Sequence, residues 1–295
     1  MDATDKPFAR QFRLDLPRGR RLILGPRTLI MGVVNVTPDS FSDGGRFGDT
    51  AAAVEHGLRL IDEGADILDV GGESTRPGTQ AVSVSEELAR VIPVIERLTR
   101  FNSIPVSIDT SKVQVAKEAL AAGASIVNDI TGFHADASIA RVAAEFGAAA
   151  VVMHIKGTPR TMQEKPVYGD LIGEIKAYLN ESIRIGGENG LPAEKIIIDP
   201  GIGFGKTVSH NLEIMARLAE FTSLARPILV GTSRKSTIGV ITGKPVNQRV
   251  FGTAATLALC IRNGAQIVRV HDVAAAVDVV KMTDAICSAI WRSQT

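Results

Sequence analysis

The 295-residue chain has little cysteine, almost no net charge and no long apolar run. Its two cysteines, Cys260 and Cys287, cannot build a disulfide framework. Lys plus Arg is 33 against 32 for Asp plus Glu, so a net charge of +1 gives no electrostatic reason to expect nucleic acid or an anionic membrane as partner. No stretch approaches the ~18 consecutive apolar residues of a membrane span. The first 21 residues are charged throughout, and the apolar stretch from Leu22 is broken at Gly25-Pro26-Arg27, which argues against a secretory signal and makes the cytoplasm the expected location. Gly and Pro are spread along the chain, and no low-complexity linker marks a boundary. One domain over 1–295 is expected.

A pattern recurs along the chain. A helical stretch ends in Gly-Ala, a short apolar run follows, and a polar cluster closes it. It stands at Gly64 to Val70, Gly123 to Asp129, Gly147 to His154 and Gly264 to His271. The glycine supplies a left-handed helix stop. The apolar run is too short for a helix and suits a strand buried on both faces. Leu29 to Val34, Pro105 to Ile108, Lys195 to Ile198 and Pro227 to Val230 share that character, which makes eight strand candidates, each with a helix-like segment after it. Eight βα units predict an α/β fold of the (β/α)₈ TIM-barrel type over about 28–292. An open doubly wound sheet is the structural rival. Residues 10–26 read as an N-terminal β-hairpin extension around Pro17-Arg18-Gly19, placed to cap the barrel's N-terminal end.

Chemistry in such a barrel sits at the C-terminal ends of its strands. Those ends carry, in order, Asn35, Asp69, Asp109, Asn128-Asp129, His154, Asp199, then Ser233-Arg234-Lys235, then Arg269 and His271. Any one could be a cap or a satisfied buried group. All eight together imply a polar mouth. Asp109, Asn128 and Asp199 offer acceptors for a planar heterocycle rich in N–H donors. Lys235, Arg269 and His271 fall on strands seven and eight, where barrels commonly hold phosphate. A flat, donor-rich ring joined to an anionic tail fits this mouth. Three glycine-bearing loops, Asn35 to Gly45, Gly71 to Gly78 and Asp199 to Lys206, are long enough to close over a substrate. Gly201 to Gly205 lacks the dinucleotide spacing, and neither a P-loop nor a zinc-spaced Cys/His cluster is present.

These loops carry a family resemblance. Met31 to Gly45 and Gly71 to Gly78 resemble the two long signatures of bacterial dihydropteroate synthases. Ser107-Ile108-Asp109-Thr110, Asn128-Asp129-Ile130, Met153-His154, Asp199 to Lys206, Gly231 to Ser236 and Arg269 to Asp272 continue the likeness in order over about 28–290. The resemblance implies a folate-pathway transferase that joins 4-aminobenzoate to (7,8-dihydropterin-6-yl)methyl diphosphate and releases diphosphate and 7,8-dihydropteroate. It implies that Asp109, Asn128, Asp199 and Lys235 hold the pterin, that Met153 floors its pocket, and that Arg269 stacks on the ring and touches the diphosphate. Asn35 with His271 and Arg269 match the diphosphate site, with Asn35 toward Mg²⁺ and Thr75 beside it. Phe41, Thr75, Arg76, Pro77, Phe204, Ser233 and Lys235 match positions around aminobenzoate. Asp109, Lys235 and Arg269 are then the catalytic set, and a homodimer with Trp291 near its interface is implied.

Elementary chemistry agrees with the implied reaction. Diphosphate leaves readily once cations neutralise its growing charge. An arylamine is neutral at pH 7 and needs no strong base, in keeping with a chain that shows no obvious nucleophilic triad. Phe251 stands where the family commonly has an acidic residue, and Thr237 where a bulkier one is common; both bear on packing rather than on the reaction. A methyltetrahydrofolate–corrinoid methyltransferase, which would not need the Ser74 to Pro77 loop together with Ser233 to Lys235, and a pterin-binding paralogue without turnover are the alternatives.

Overall fold

In a strand, successive side chains point to opposite faces, so a residue's parity decides whether it lies inside a barrel or beneath its helices. A computed structural model describes residues 10–36, 45–74, 82–159, 161–162, 164 and 166–289. It places β1 at Phe12–Asp15, β2 at Arg21–Leu24, β3 at Leu29–Asn35, β4 at Ile67–Gly71 and β5 at Val106–Asp109. Next come β6 at Ile126–Asp129, β7 at Ala149–Met153, β8 at Ile196–Asp199, β9 at Leu229–Val230 and β10 at Ile267–Val270. From β3 to β10 every pairing is parallel between chain neighbours, and β10 pairs β3. The parallel bridge of Ile198 with Ile228 joins β8 to the segment leading into β9 and closes the ring. The (β/α)₈ expectation holds, and the open-sheet rival does not.

The two parities form two cores. Ile30, Val34, Leu68, Val70, Val127, Val152, Ile198 and Val268 face outward and pack with the helices. Leu29, Met31, Ile67, Ile126, Ala149, Val151, Ile197, Leu229 and Ile267 face inward and cluster with Leu14, Leu16, Leu22 and Leu24. The hairpin β1–β2 pairs Leu14 with Leu22 and Phe12 with Leu24, so its buried leucines lie on one face. That face plugs the N-terminal end of the barrel. Each buried leucine contributes roughly 1.5–3 kcal/mol.

The helices are α1 (Gly45–Asp62), α2 (Val84–Phe101), α3 (Val113–Ala122), α4 (Ser138–Glu145), α5 (Leu171–Glu188), α6 (Val208–Ala216), α7 (Ser236–Thr242), α8 (Val250–Arg262) and α9 (Val273–Ser288). Two departures from the expected eight appear among the described residues. The sequence after strand six reads as one helix over Ser209–Glu220, but the helix stops at Ala216 and a 3₁₀ segment, Leu218–Leu224, follows. Ser236–Thr242 forms a helix of its own, although its β-branched residues and glycine are weak helix formers. Packing overrides propensity there: Thr237 and Ile238 are buried, and Thr237 Oγ1 accepts from Asn211 Nδ2 at 3.0 Å.

Candidate active site

The inward parity that is apolar at the bottom of the barrel turns polar near its top. Asp69 pairs with Ser107 across β4 and β5, and Asp109 pairs with Gly71. Asn128 stands opposite Asp109, and Asp199 opposite Met153. Arg269 lies beside Met31 on β10.

Arg269 organises one side of the mouth. Its Nε donates to Asp69 Oδ2 at 2.6 Å, and its Nη2 to Asp109 Oδ2 at 2.8 Å. A planar fork suits two carboxylates at once. Burial opposes the guanidinium charge, but Asp69 and Asp109 more than offset it and hold its pKa above the ordinary value. Asp69 Oδ2 also accepts from Asn128 Nδ2 at 3.0 Å. Burial pushes Asp109 up to about 7, and the Asp69 charge adds to this against the pull of Arg269.

Asp199, Lys235 and the β8 loop make the other side. Asp199 Oδ1 accepts from Gly201 N at 2.7 Å; burial raises its pKa, while that amide, Lys235, Lys206 and Arg269 act to lower it. Lys235 Nζ donates to Ile202 O at 2.7 Å and lies 4.2 Å from the centre of the Phe204 ring. Burial pulls Lys235 down to about 8, against the support of Asp199 and Asp109. Gly203, at φ +87°, sits where a Cβ would come 3.1 Å from Lys235 Cδ, so the lysine lies directly on the loop backbone. Ser233, in the strand-seven cluster, is buried, and its Oγ accepts from His271 N at 3.2 Å. Half-buried Asn35 ends β3 beside Gly71.

The β8 loop is tied at nearly every residue. Gly203 N donates to Asn211 Oδ1 at 2.8 Å, and Tyr168 Oη donates to Gly205 O at 2.7 Å. Lys206 Nζ donates to Phe204 O at 2.9 Å and to His154 Nδ1 at 2.8 Å. Burial, then the charge of Lys206, depresses His154 to about 2, and burial takes Lys206 well below its usual value. His154 therefore supports the loop from behind as a neutral ring.

The structure thus brings Asp109, Asn128, Met153, Asp199, Lys235, Arg269, Ser233 and His271 to one end of the barrel, with Asn35 and Phe204 on the same rim. Phe41, Thr75, Arg76, Pro77 and Trp291 lie outside the described residues. Some polar strand ends do other work. Asp129 faces outward, and its carboxylate accepts from Thr131 N and Phe133 N, both at 2.8 Å, holding Phe133 at φ +70°. Asp272 takes the fork of Arg234, whose backbone is left-handed at φ +58°. Asp69 was read from sequence only as a polar strand end and Lys206 only as the end of the strand-six loop, and neither was given a role in the site. Asp69 had a signal, its inward parity two residues before Gly71; Lys206 had none.

Residues 31–271 match the family model described as pterin binding enzyme. A dihydropteroate synthase of Synechocystis is 46% identical over 294 residues, 99% of this chain and 100% of that protein. A Xanthomonas albilineans dihydropteroate synthase solved with 4-aminobenzoic acid superposes with a TM-score of 0.88 at 44% identity, over 96% of this chain and 100% of the other. A structure of the enzyme from that organism with 7,8-dihydropteroate gives 0.85 at 43%, over 95% and 100%. The chain belongs to the pterin-binding enzyme family, within its group of dihydropteroate synthases.

Proposed function

We propose that this chain transfers the dihydropterin-6-ylmethyl group from (7,8-dihydropterin-6-yl)methyl diphosphate to 4-aminobenzoate, making 7,8-dihydropteroate for folate biosynthesis. One observation carries the reading. Arg269 of β10 donates to Asp109 of β5 at 2.8 Å, while Asp199 at the end of β8 and Lys235 beyond β9 are both bonded to the β8 loop at the same end of the barrel. Asp109, Asn128 and Asp199 accept from the pterin edge over the Met153 floor, and Lys235 backs the ring. Arg269, with His271, Asn35 and Thr75, receives the diphosphate. Phe204 and Ser233, with Phe41, Thr75, Arg76 and Pro77, surround the aminobenzoate.

The bond from the pterin methylene to the diphosphate oxygen breaks with its electron pair going to the diphosphate. The methylene cation, conjugated with the ring, is stabilised by Asp109 and Asp199 in a water-poor pocket. The aminobenzoate nitrogen then forms the C–N bond and gives up a proton to solvent or diphosphate. Mg²⁺ fits as a partner of the departing anion. It keeps several waters and takes few protein ligands when phosphates supply the rest, and the carboxamide oxygen of Asn35 at the rim is a suitable hard donor. When bound, it would neutralise charge on the leaving group.

A homodimer is supported by the outer face of α7 to α9. Phe251 is 85% exposed, with Leu259, Met282 and Ile286 each about 60% exposed on the neighbouring turns. The Phe251 departure thus enlarges an apolar surface. A monomer in sedimentation at micromolar concentration would remove this part of the reading. A cytoplasmic setting accords with a sequence that holds only two cysteines, and a single functional domain accords with one family model that spans residues 31–271.

The test is diphosphate release and dihydropteroate formation, measured with and without aminobenzoate and Mg²⁺. We expect product only with all components, and slow release without aminobenzoate. Absence of dihydropteroate under every condition overturns the function; release strictly dependent on aminobenzoate, with concerted kinetics, overturns the dissociative path.

A further inference from the structure

Asp69 is fully buried at the centre of the mouth, with no exposed surface to offer a substrate. Yet its Oδ2 receives two donors that do face the mouth, Arg269 Nε and Asn128 Nδ2. A carboxylate only accepts, so Asn128 must turn its NH₂ group toward Asp69, leaving its Oδ1 as the end presented to a ligand. Arg269 spends Nε on Asp69 and Nη2 on Asp109, which fixes the plane of its guanidinium across β10, β4 and β5. We propose that Asp69 is a positioning residue for the reaction, orienting the Arg269 guanidinium and the acceptor end of Asn128 before the pterin arrives. This inference rests on the reading of the mouth as a pterin site.

Asp69 also faces Asp109 electrically. The charges acting on Asp109 are Arg269 from β10, Asp69 from β4, Glu87 from α2 and Asp129 from β6, with Lys235 beyond. Removing the Asp69 charge takes away a like charge and leaves the arginine to Asp109 alone. Both changes lower the Asp109 pKa.

The decisive variant is Asp69→Asn, alone and combined with Arg269→Ala. A hydrogen bond to a charged group changes an equilibrium by ~10- to 100-fold. Asp69→Asn is therefore expected to lower kcat/KM for the diphosphate substrate by ~30-fold, leave the aminobenzoate KM within about twofold, and move the acid limb of the pH profile to lower pH. In the Arg269→Ala background its effect should shrink by ~10-fold or more, because the group it orients is gone. A residue with only a packing role would lower the rate without moving the limb, and its effect would multiply with that of Arg269→Ala. Either of those results, or an Asp69→Asn enzyme with near wild-type kinetics, overturns the proposal. If the asparagine variant does not fold, Asp69→Glu replaces it and is read by the cycle alone: the charge stays, the oxygen moves, and the loss of turnover should again shrink in the Arg269→Ala background, whereas a multiplicative loss overturns the proposal. The cycle is also run calorimetrically with 6-hydroxymethyl-7,8-dihydropterin as probe. Wild-type protein that binds the probe but makes no dihydropteroate would sink the reaction and not the role of Asp69. An active wild type with a multiplicative cycle would sink the role and not the reaction.

Discussion

The two ends of the barrel interior are built by the same rule with opposite materials. At the bottom, Leu29, Ile67, Ile126, Ile197 and Ile267 meet the hairpin leucines in a dry layer. One inward position further along β4, β6, β8 and β10 stand Asp69, Asn128, Asp199 and Arg269, and β5 adds Asp109 above the buried Ser107. The bottom layer stabilises the fold through buried apolar area. The top layer works against it, since burial holds Asp109 and Asp199 above the ordinary carboxylate range. Stability and function are therefore separated along the barrel axis, in keeping with the division seen across this architecture.

Asp199→Ala is the sharpest way to test that separation. It removes the acceptor for a buried donor pair, each member worth ~1–3 kcal/mol, so pterin affinity should fall by ~100-fold or more in calorimetry. The unfolding midpoint should stay where it is or rise, because a costly buried carboxylate has gone. Leu24→Ala is the mirror image. A fully buried leucine in the plug should cost ~2–5 kcal/mol in denaturant unfolding, with kcat unchanged while the protein is folded. A Leu24→Ala enzyme with impaired kcat would break the comparison.

Lys206→Met should have a smaller effect. It removes the tie to Phe204 O while keeping most of the volume, and a ~10-fold rise in the aminobenzoate KM with little change in pterin affinity is expected from steady-state kinetics. Equal loss on both substrates would remove the lysine from its role in holding the Phe204 backbone. The smallest effect is the pH response. As pH falls through about 7, Asp109 takes a proton and loses its charge and one acceptor oxygen; as pH rises through about 8, Lys235 loses its charge. The profile of kcat/KM for the diphosphate substrate should be a narrow bell between them. A flat profile from pH 6 to 9 would count against both groups.

Much of this was legible from local signals. Gly64, Gly123 and Gly264 stop their helices at φ +108°, +120° and +104°, as the Gly-Ala pattern predicts. The hairpin turn and the short buried strands follow from the same local reading. Helix α7 was not legible, because its residues are poor helix formers held by burial against α6. Nor was the division of labour among acids. Asp129 and Asp199 end their strands, while Asp69, expected at a strand end, stands two residues inside β4; Asp129 faces outward and the other two inward, and their partners come from elsewhere. Asp69 finds Arg269 across 200 residues, and Asp109 finds it across 160. Spacing in a chain cannot report such pairs.

That long span has a consequence for how the molecule is made. Strands β4 and β5 are synthesised early and carry Asp69 and Asp109, while the arginine that neutralises both emerges on β10, after some 160 further residues. Until β10 docks beside β3, a partly folded chain lacks the arginine that bonds both acids. The same late arrival means that substrate can stabilise only the finished barrel, so ligand-linked protection against proteolysis would register the final docking step and no intermediate before it.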